Sequence, residues 1–316
     1  MQGSVVTVGR VSVDLYAREA GASFRDQQTF SKSVGGSPTN VAVAAARLGH
    51  RATLVTKVGD DELGGYVVER LRSWGVDTSS IGVSHGNLTP VVLAALDPPE
   101  EPKLIFHRQP DAPDTSLRPT DLSKELLSQC DVFWMSGCAL SRGSTADSSL
   151  YWLEQRNRRT HTVLDLDYRP SFWASIDDAR RAAQAAIDWC SVVVGNRTEC
   201  AMALGTDDPE RAADMLIERG VSLAIVKMGA AGVLLATKLE RAVIKPLRIT
   251  LVCGLGSGDA FGGALIHGLV NGWDIQTIGE HANAAGAYVA TQLTCADAMP
   301  DIEQLTSFMN DPAHQS

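Results

Sequence analysis

Short apolar, β-branched runs recur along this chain with longer stretches of helical periodicity between them. That alternation constrains the fold more than any other feature. Runs at 5–9, 52–58, 132–136, 162–166, 191–194, 223–227 and 232–236 read as strands, and stretches at 39–48, 62–74, 120–129, 144–157, 177–188 and 209–219 read as helices. Near-continuous apolar strands joined by amphipathic helices predict an α/β fold with a mostly parallel sheet covered on both faces. Two segments, about 15–34 and 88–108, break the rhythm with extended alternation and no crossover helix. Within the second, 89–96 and 103–107 flank Asp97-Pro98-Pro99-Glu100-Glu101-Pro102 and read as a hairpin. These segments are expected to form a small second sheet, able to act as a lid, inserted in a single domain spanning 1–316. The tail after Asp311 is expected to fray.

Composition narrows the function classes. The 316 residues include 28 Lys+Arg against 37 Asp+Glu, a formal charge of −9, which argues against a dedicated nucleic-acid partner. No apolar run approaches the roughly 20 residues that cross a bilayer, so no membrane partner is expected. Met1-Gln2-Gly3-Ser4 leads straight into Val5-Val6-Thr7-Val8 without a basic leader, and the six cysteines lack metal-ligand spacing. Buried free thiols and a cytoplasmic setting are the expectation.

Ligands of open parallel sheets bind beyond the carboxyl ends of the strands. The most informative loop is Gly254-Leu255-Gly256-Ser257-Gly258-Asp259, which opens a helix running to Asn271. Gly256 and Gly258 can turn their N–H groups toward one point, and the first helical turn adds unpaired donors and the positive dipole end. Such a loop suits a phosphoryl group or the charge that develops on it during transfer. Asp259 stands either as a plain helix cap or as a base that takes a proton from an attacking hydroxyl. A dinucleotide fingerprint fits poorly, because its third glycine would fall on Asp259, and there is no P-loop string.

Four motifs in order then identify a family. Gly35-Gly36-Ser37-Pro38-Thr39-Asn40, Asn196-Arg197-Thr198-Glu199, Lys227-Met228-Gly229-Ala230-Ala231-Gly232 and Gly256-Ser257-Gly258-Asp259-Ala260-Phe261 resemble signatures of the ribokinase-like (PfkB) carbohydrate kinases. The resemblance implies a three-layer sandwich with a small β lid, ATP as phosphate donor, Mg²⁺, and in part of the family K⁺. Gly9-Arg10-Val11-Ser12-Val13-Asp14-Leu15-Tyr16 and Asp165-Leu166-Asp167-Tyr168-Arg169-Pro170 resemble a branch that serves inositol catabolism. That likeness implies transfer to the terminal hydroxyl of an open-chain keto-deoxy sugar acid.

Carried over residue by residue, the resemblance makes Asp259 the base and the amides of Gly256, Ser257 and Gly258 the anion hole. It assigns Asp14, Gly35, Gly36 and Asn40 to sugar hydroxyls. Asn196 and Glu199 would hold the metal through water, although Asn-x-x-Glu is also the pattern of a helix capping box. Lys227, Gly229 and Gly232, with Gly256 and Gly258, would face the nucleotide phosphates, and Asn283 the adenine wall. Arg169 is expected to fork onto the acid group, Arg108 to close over the same end, and Arg10 to offer a third cation there. The chain departs from many relatives in carrying Cys253-Gly254-Leu255 where they have Asp-Thr, next to the loop implied to bind a monovalent cation. Cys253 reads as a reactive thiol or a small apolar filler.

Other sugar kinases, fructokinase-like or acting on isomeric keto acids, would share this pattern. A nucleoside kinase would leave the Arg169 string without a purpose. A non-catalytic sugar-acid sensor would have no use for an intact Asp259. An exposed lid edge would favour a homodimer through sheet pairing.

Overall fold

The computed structural model describes residues 2–109 and 111–314. The N-terminal part runs β1 (Ser4–Val8), β2 (Ser12–Ala17), β3 (Phe30–Gly35), α1 (Ser37–Arg47), β4 (Arg51–Gly59), α2 (Glu62–Ser73), β5 (Ile81–Ser84), β6 (Val91–Ala95) and β7 (Lys103–His107). The middle continues with α3 (Lys124–Gln129), β8 (Val132–Ser136), α4 (Gly143–Arg156), β9 (Thr162–Asp165), α5 (Ile176–Ile187), β10 (Val192–Asn196), α6 (Arg197–Leu204) and α7 (Pro209–Glu218). The last part holds β11 (Leu223–Lys227), β12 (Val233–Ala236), β13 (Arg241–Ile244), α8 (Ser257–Asn271), α9 (Ile275–Ala290) and α10 (Ile302–Asn310).

The strands form a nine-stranded sheet in the order β13-β12-β11-β10-β9-β8-β1-β4-β5. Seven neighbours from β11 through β5 pair in parallel, and β12 and β13 close one edge as an antiparallel hairpin. Alternate side chains of each strand feed opposite faces. Val5 and Trp134 pack under α1, α2, α8, α9 and α10, while Val6, Phe133 and Met135 pack under α3 to α7. This is the expected three-layer α/β sandwich. Chain order reverses around β1, with β4 and β5 laid down on one side and β8 to β13 on the other, so a switch point lies between β1 and β8.

The two segments that broke the rhythm come together as one four-stranded sheet, β3-β2-β6-β7. Its β6–β7 turn reaches the loop before α8, where the Gly254 N–H donates to Pro99 O at 2.8 Å. Two local expectations are corrected. The helix expected over 120–129 begins only at Lys124, because Pro119–Asp121 forms a separate 3₁₀ turn and Ser123 Oγ caps the next turn by accepting from Leu126 N. From Pro312 to His314 the chain is tied down rather than frayed, with a turn there and the Arg248 N–H donating to His314 O at 3.1 Å; the last two residues lie outside the described ones.

Helices α1 and α8 lie against each other with almost nothing between them. A Cβ on Gly263 would overlap that of Ala44, and one on Gly262 would sit 2.7 Å from the Trp134 ring. This contact brings the N-terminal turns of the two helices side by side.

Candidate active site

All strands from β1 to β11 that run parallel end on one edge, and charged residues gather just beyond those ends. Arg10 follows β1, Asp165 ends β9 with Asp167 two residues on, Asn196 ends β10 and Lys227 ends β11. Lys227 Nζ lies 3.9 Å from Asp165 Oδ2, with both side chains largely buried. Burial pushes the Asp165 carboxyl up to about 7 despite Lys227, with Glu199, Asp167 and Asp259 adding to the rise. For Lys227, burial works against the charge, but Asp165, Glu199, Asp259 and Asp167 more than offset it and hold the ammonium above its usual range. Burial also opposes ionisation of Asp167, yet Arg169, Arg10 and the Ser136 hydroxyl, which donates to Asp167 Oδ2 at 2.6 Å, keep it below the usual carboxylate range. Sequence reasoning did not single out Asp165 or Asp167. The available signal was two carboxylates at the ligand-side end of an otherwise apolar strand.

The glycine-rich loop meets this cluster. Gly256 adopts φ +80° at the start of α8, a conformation that L side chains rarely take, and a Cβ there would strike Cys295 Sγ. Two residues on, a Cβ on Gly258 would lie 3.2 Å from Lys227 Nζ, so the ammonium reaches the anion loop itself. Asp259, in the first turn of α8, accepts from Asn40 Nδ2 of α1 at 2.7 Å through Oδ2. Burial raises the Asp259 carboxyl against the pull of Asn40 and Ser37, which suits a group that must pick up a proton. Asn40 Oδ1 and Ser257 Oγ are buried with no hydrogen-bond partner. Orphaned polar atoms at a helix N-terminus are what a bound phosphate and hydroxyl would satisfy.

On the side of the small sheet, the Asp14 carboxylate lies directly over Gly35, where any Cβ would overlap it. Asp14 accepts from Ser12 Oγ at 2.6 Å and from the Tyr16 hydroxyl at 3.2 Å. Gly36 packs on Arg10 O, which also accepts from Thr39 Oγ1 at 3.0 Å. Asp14, Gly35, Gly36, Asn40 and Asp259 therefore surround one region.

The two arginines expected at the acid end are each already paired. Arg169 sits 3.1 Å from buried Asp167, and Arg108 sits 2.7 Å from buried Asp114 with its guanidinium over the Phe172 ring. A cleft of about 870 Å³ opens beside them, lined by Phe106, Arg108, Arg142, Ser171 and Phe172 among others.

Toward the C-terminal half, Asn196 and Glu199 form a capping box. Asn196 Oδ1 accepts from Glu199 N at 2.9 Å, and Glu199 Oε2 accepts from Asn196 N at 2.7 Å. Among the described residues no three His, Cys, Asp or Glu side chains gather as a metal-binding group. A divalent ion here would rest mainly on phosphate oxygens and water, with Glu199 at the edge. That donor set fits Mg²⁺, which keeps much of its hydration shell.

Gly229 takes φ +60° at the turn after β11, and Gly232 lets the chain pass against Ile244 O and Lys245. Asn283 of α9 lies farther out, donating to Lys245 O at 2.9 Å. It borders a second cleft of about 1000 Å³ with Lys245, Leu247 and Ala284. Cys253 is buried, and burial raises its thiol, so it is the small filler and not a ready nucleophile. All six cysteines are free and buried.

This constellation can hold a polyhydroxylated ligand beside Asp259 and a polyphosphate along α8 and Lys227. A family model described as pfkB family carbohydrate kinase matches residues 2–302. The chain belongs to that family. It is a carbohydrate kinase. Among curated relatives of this pfkB kinase, the 5-dehydro-2-deoxygluconokinase of Geobacillus thermodenitrificans is 30% identical over 311 residues, covering 96% of this chain and 92% of the relative. The 5-dehydro-2-deoxygluconokinase of Photobacterium profundum is 32% identical over 315 residues, covering 96% and 94%. The solved fructokinase of Vibrio cholerae O395, in its fructose, ADP and calcium ion bound form, superposes with a TM-score of 0.87 at 25% identity, covering 98% of this chain and 99% of that one. Among the described residues of this pfkB kinase, no helix is long and apolar enough to cross a membrane.

Proposed function

We propose that this pfkB kinase transfers the γ-phosphoryl group of ATP to the terminal hydroxyl of 5-dehydro-2-deoxy-D-gluconate, giving the 6-phosphate. The observation that carries the reading is the Asn40–Asp259 pair at the amino end of α8, flanked by the Gly256–Gly258 amides and Lys227. The likeness to named relatives at 30% and 32% identity over nearly the whole chain supports the choice of substrate.

Asp14, the Gly35–Gly36 backbone and Asn40 hold the sugar hydroxyls, and the buried Asn40 Oδ1 accepts from one of them. Asp259 takes the proton of the attacking hydroxyl. The new O–P bond forms as the bond from phosphorus to the bridging oxygen of ADP breaks. The charge on the migrating group falls on the amides of Gly256, Ser257 and Gly258 and on Lys227, which need no reorganisation to receive it. Glu199 and Asn196 would hold Mg²⁺ through water, and the ion would neutralise β- and γ-phosphate oxygens. Gly229 and Gly232 leave the nucleotide a path to the cleft by Lys245 and Asn283, where adenine would lie. The small sheet acts as a lid that keeps water from replacing the sugar as acceptor. Its edge strands β3 and β7 could also pair with those of a second copy.

The test is ADP release in a coupled assay with Mg²⁺, with and without K⁺, over 5-dehydro-2-deoxygluconate, 2-dehydro-3-deoxygluconate, fructose and adenosine. The expected result is the highest kcat/KM for the first acid. Preference for the isomeric acid would move the assignment within the family, preference for fructose or adenosine would overturn it, and no ADP release with any acceptor would favour a sensor.

A further inference from the structure

Tyr16 of β2 is fully buried, and its hydroxyl lies between two side chains. It reaches Asp14 Oδ2 at 3.2 Å and Cys295 Sγ at 2.8 Å. Burial holds both the phenol and the thiol well above their ordinary values, so each keeps its proton. Hiding a hydroxyl from water is costly unless partners replace the water, and a phenylalanine would fill the same space without that demand. Most side-chain hydrogen bonds in folded proteins go to the backbone or to water, whereas both partners of this hydroxyl are side chains.

Where those partners sit gives the hydroxyl its meaning. Asp14 faces the region shared with Gly35, Gly36, Asn40 and Asp259. Cys295 is buried against Gly256: a Cβ on that glycine would meet Cys295 Sγ, Cβ and Cα, the first at 2.6 Å. Gly256 stands at the start of α8 and turns the chain whose amides form the anion loop. The turn after Cys295, Ala296–Ala298, is held separately, because Asp297 accepts from Ser33 Oγ of β3 and pairs with Arg70 of α2. The small sheet, which already touches the glycine-rich loop through Pro99, therefore meets it again through Cys295, and Tyr16 makes a polar contact across that junction.

We infer that Tyr16 is a positioning residue for both halves of the transfer. Its hydroxyl aims Asp14 at the acceptor and, by gripping Cys295, braces Gly256 so that the loop amides keep the spacing that the migrating charge requires. The inference rests on the reading of Asp14 and the glycine-rich loop given above. Its two effects separate kinetically. Asp14 binds the acceptor in the ground state, so misplacing it raises KM. The loop amides act on charge that develops in the transition state, so misplacing them lowers kcat.

The experiment measures kcat and acceptor KM by coupled ADP release with Mg²⁺, ATP and 5-dehydro-2-deoxygluconate, with thermal melts alongside. It compares wild type, Tyr16→Phe, Cys295→Ala, Cys295→Ser and the variant carrying both Tyr16→Phe and Cys295→Ala. Tyr16→Phe should raise acceptor KM and lower kcat, each by about tenfold. Cys295→Ala should lower kcat by a similar factor and leave acceptor KM near wild type, because Asp14 keeps its phenol. Cys295→Ser, which can still meet the hydroxyl, should keep most of the wild-type kcat. In the double variant kcat should fall no further than in Tyr16→Phe alone, since the same contact is lost in both. A purely structural role would move the melts and let the two losses multiply. A change in acceptor KM alone, losses in kcat that multiply, or no loss in any variant would overturn the assignment of Tyr16. A wild type that does not phosphorylate this acid would instead overturn the substrate reading before any variant is compared, and the variants are then judged on the acceptor that it does take.

Discussion

Replacing Asp259 by asparagine separates the chemistry of the site from its architecture. Asn40 Nδ2 engages Oδ2 of Asp259 at 2.7 Å, and the side-chain amide of the variant can accept that bond with nearly the same shape. What it cannot do is take a proton. Loss of a positioned base costs about 10²–10⁴-fold in rate, or about 3–5 kcal/mol of barrier at 1.36 kcal/mol per decade. Stability should move the other way. Burial raises the Asp259 carboxyl in the folded state, so this group favours the fold while protonated, and that contribution is lost as pH rises through its folded value. At neutral pH the uncharged asparagine should therefore melt no lower than wild type. The same raised value sets the acid limb of wild-type kcat above the ordinary carboxylate range, and the residual activity of the variant should lack that limb. The assay is kcat by coupled ADP release, with thermal melts and ATP binding measured alongside. A fall in kcat of less than about tenfold would refute the role of Asp259 as base, and a sharp fall in melting temperature would refute the account of its burial.

Lys227→Met should reduce kcat/KM for ATP by about 10²–10³-fold, because the ammonium beside Gly258 of the anion loop is lost, and unchanged ATP kinetics would remove Lys227 from the phosphate path. Gly263→Ala, one turn along α8 from Asp259, forces a methyl into Ala44. It should cost about 1–3 kcal/mol in urea unfolding and lower kcat by shifting Asp259 against Asn40; wild-type stability would mean that the seam between α1 and α8 yields.

The layers of the fold were legible because each depends on neighbours in sequence: an apolar run of strand length, a helical period, a glycine where the chain must turn. What escaped was of two kinds. Helix α9 is rich in alanine and glycine, so its periodicity says little, and β13 shows its role only through pairing with β12. The start of α3 turned on a local contest that Pro119 and Ser123 settled. In the site, the glycine-rich loop and Asp259 could be read because their chemistry is written in consecutive residues. The pairing of Arg108 with Asp114 and of Arg169 with Asp167 could not, since it depends on how the side chains turn in the folded chain. The Asp165–Lys227 pair likewise joins the ends of strands separated by β10.

The seam where Gly262 and Gly263 admit α1 fixes a gauge. Asn40 rides on one rail and Asp259 on the other, and their separation is set by main chains in near contact, not by adjustable side chains. Side chains at the rim can therefore be exchanged without altering the spacing between Asn40 and Asp259.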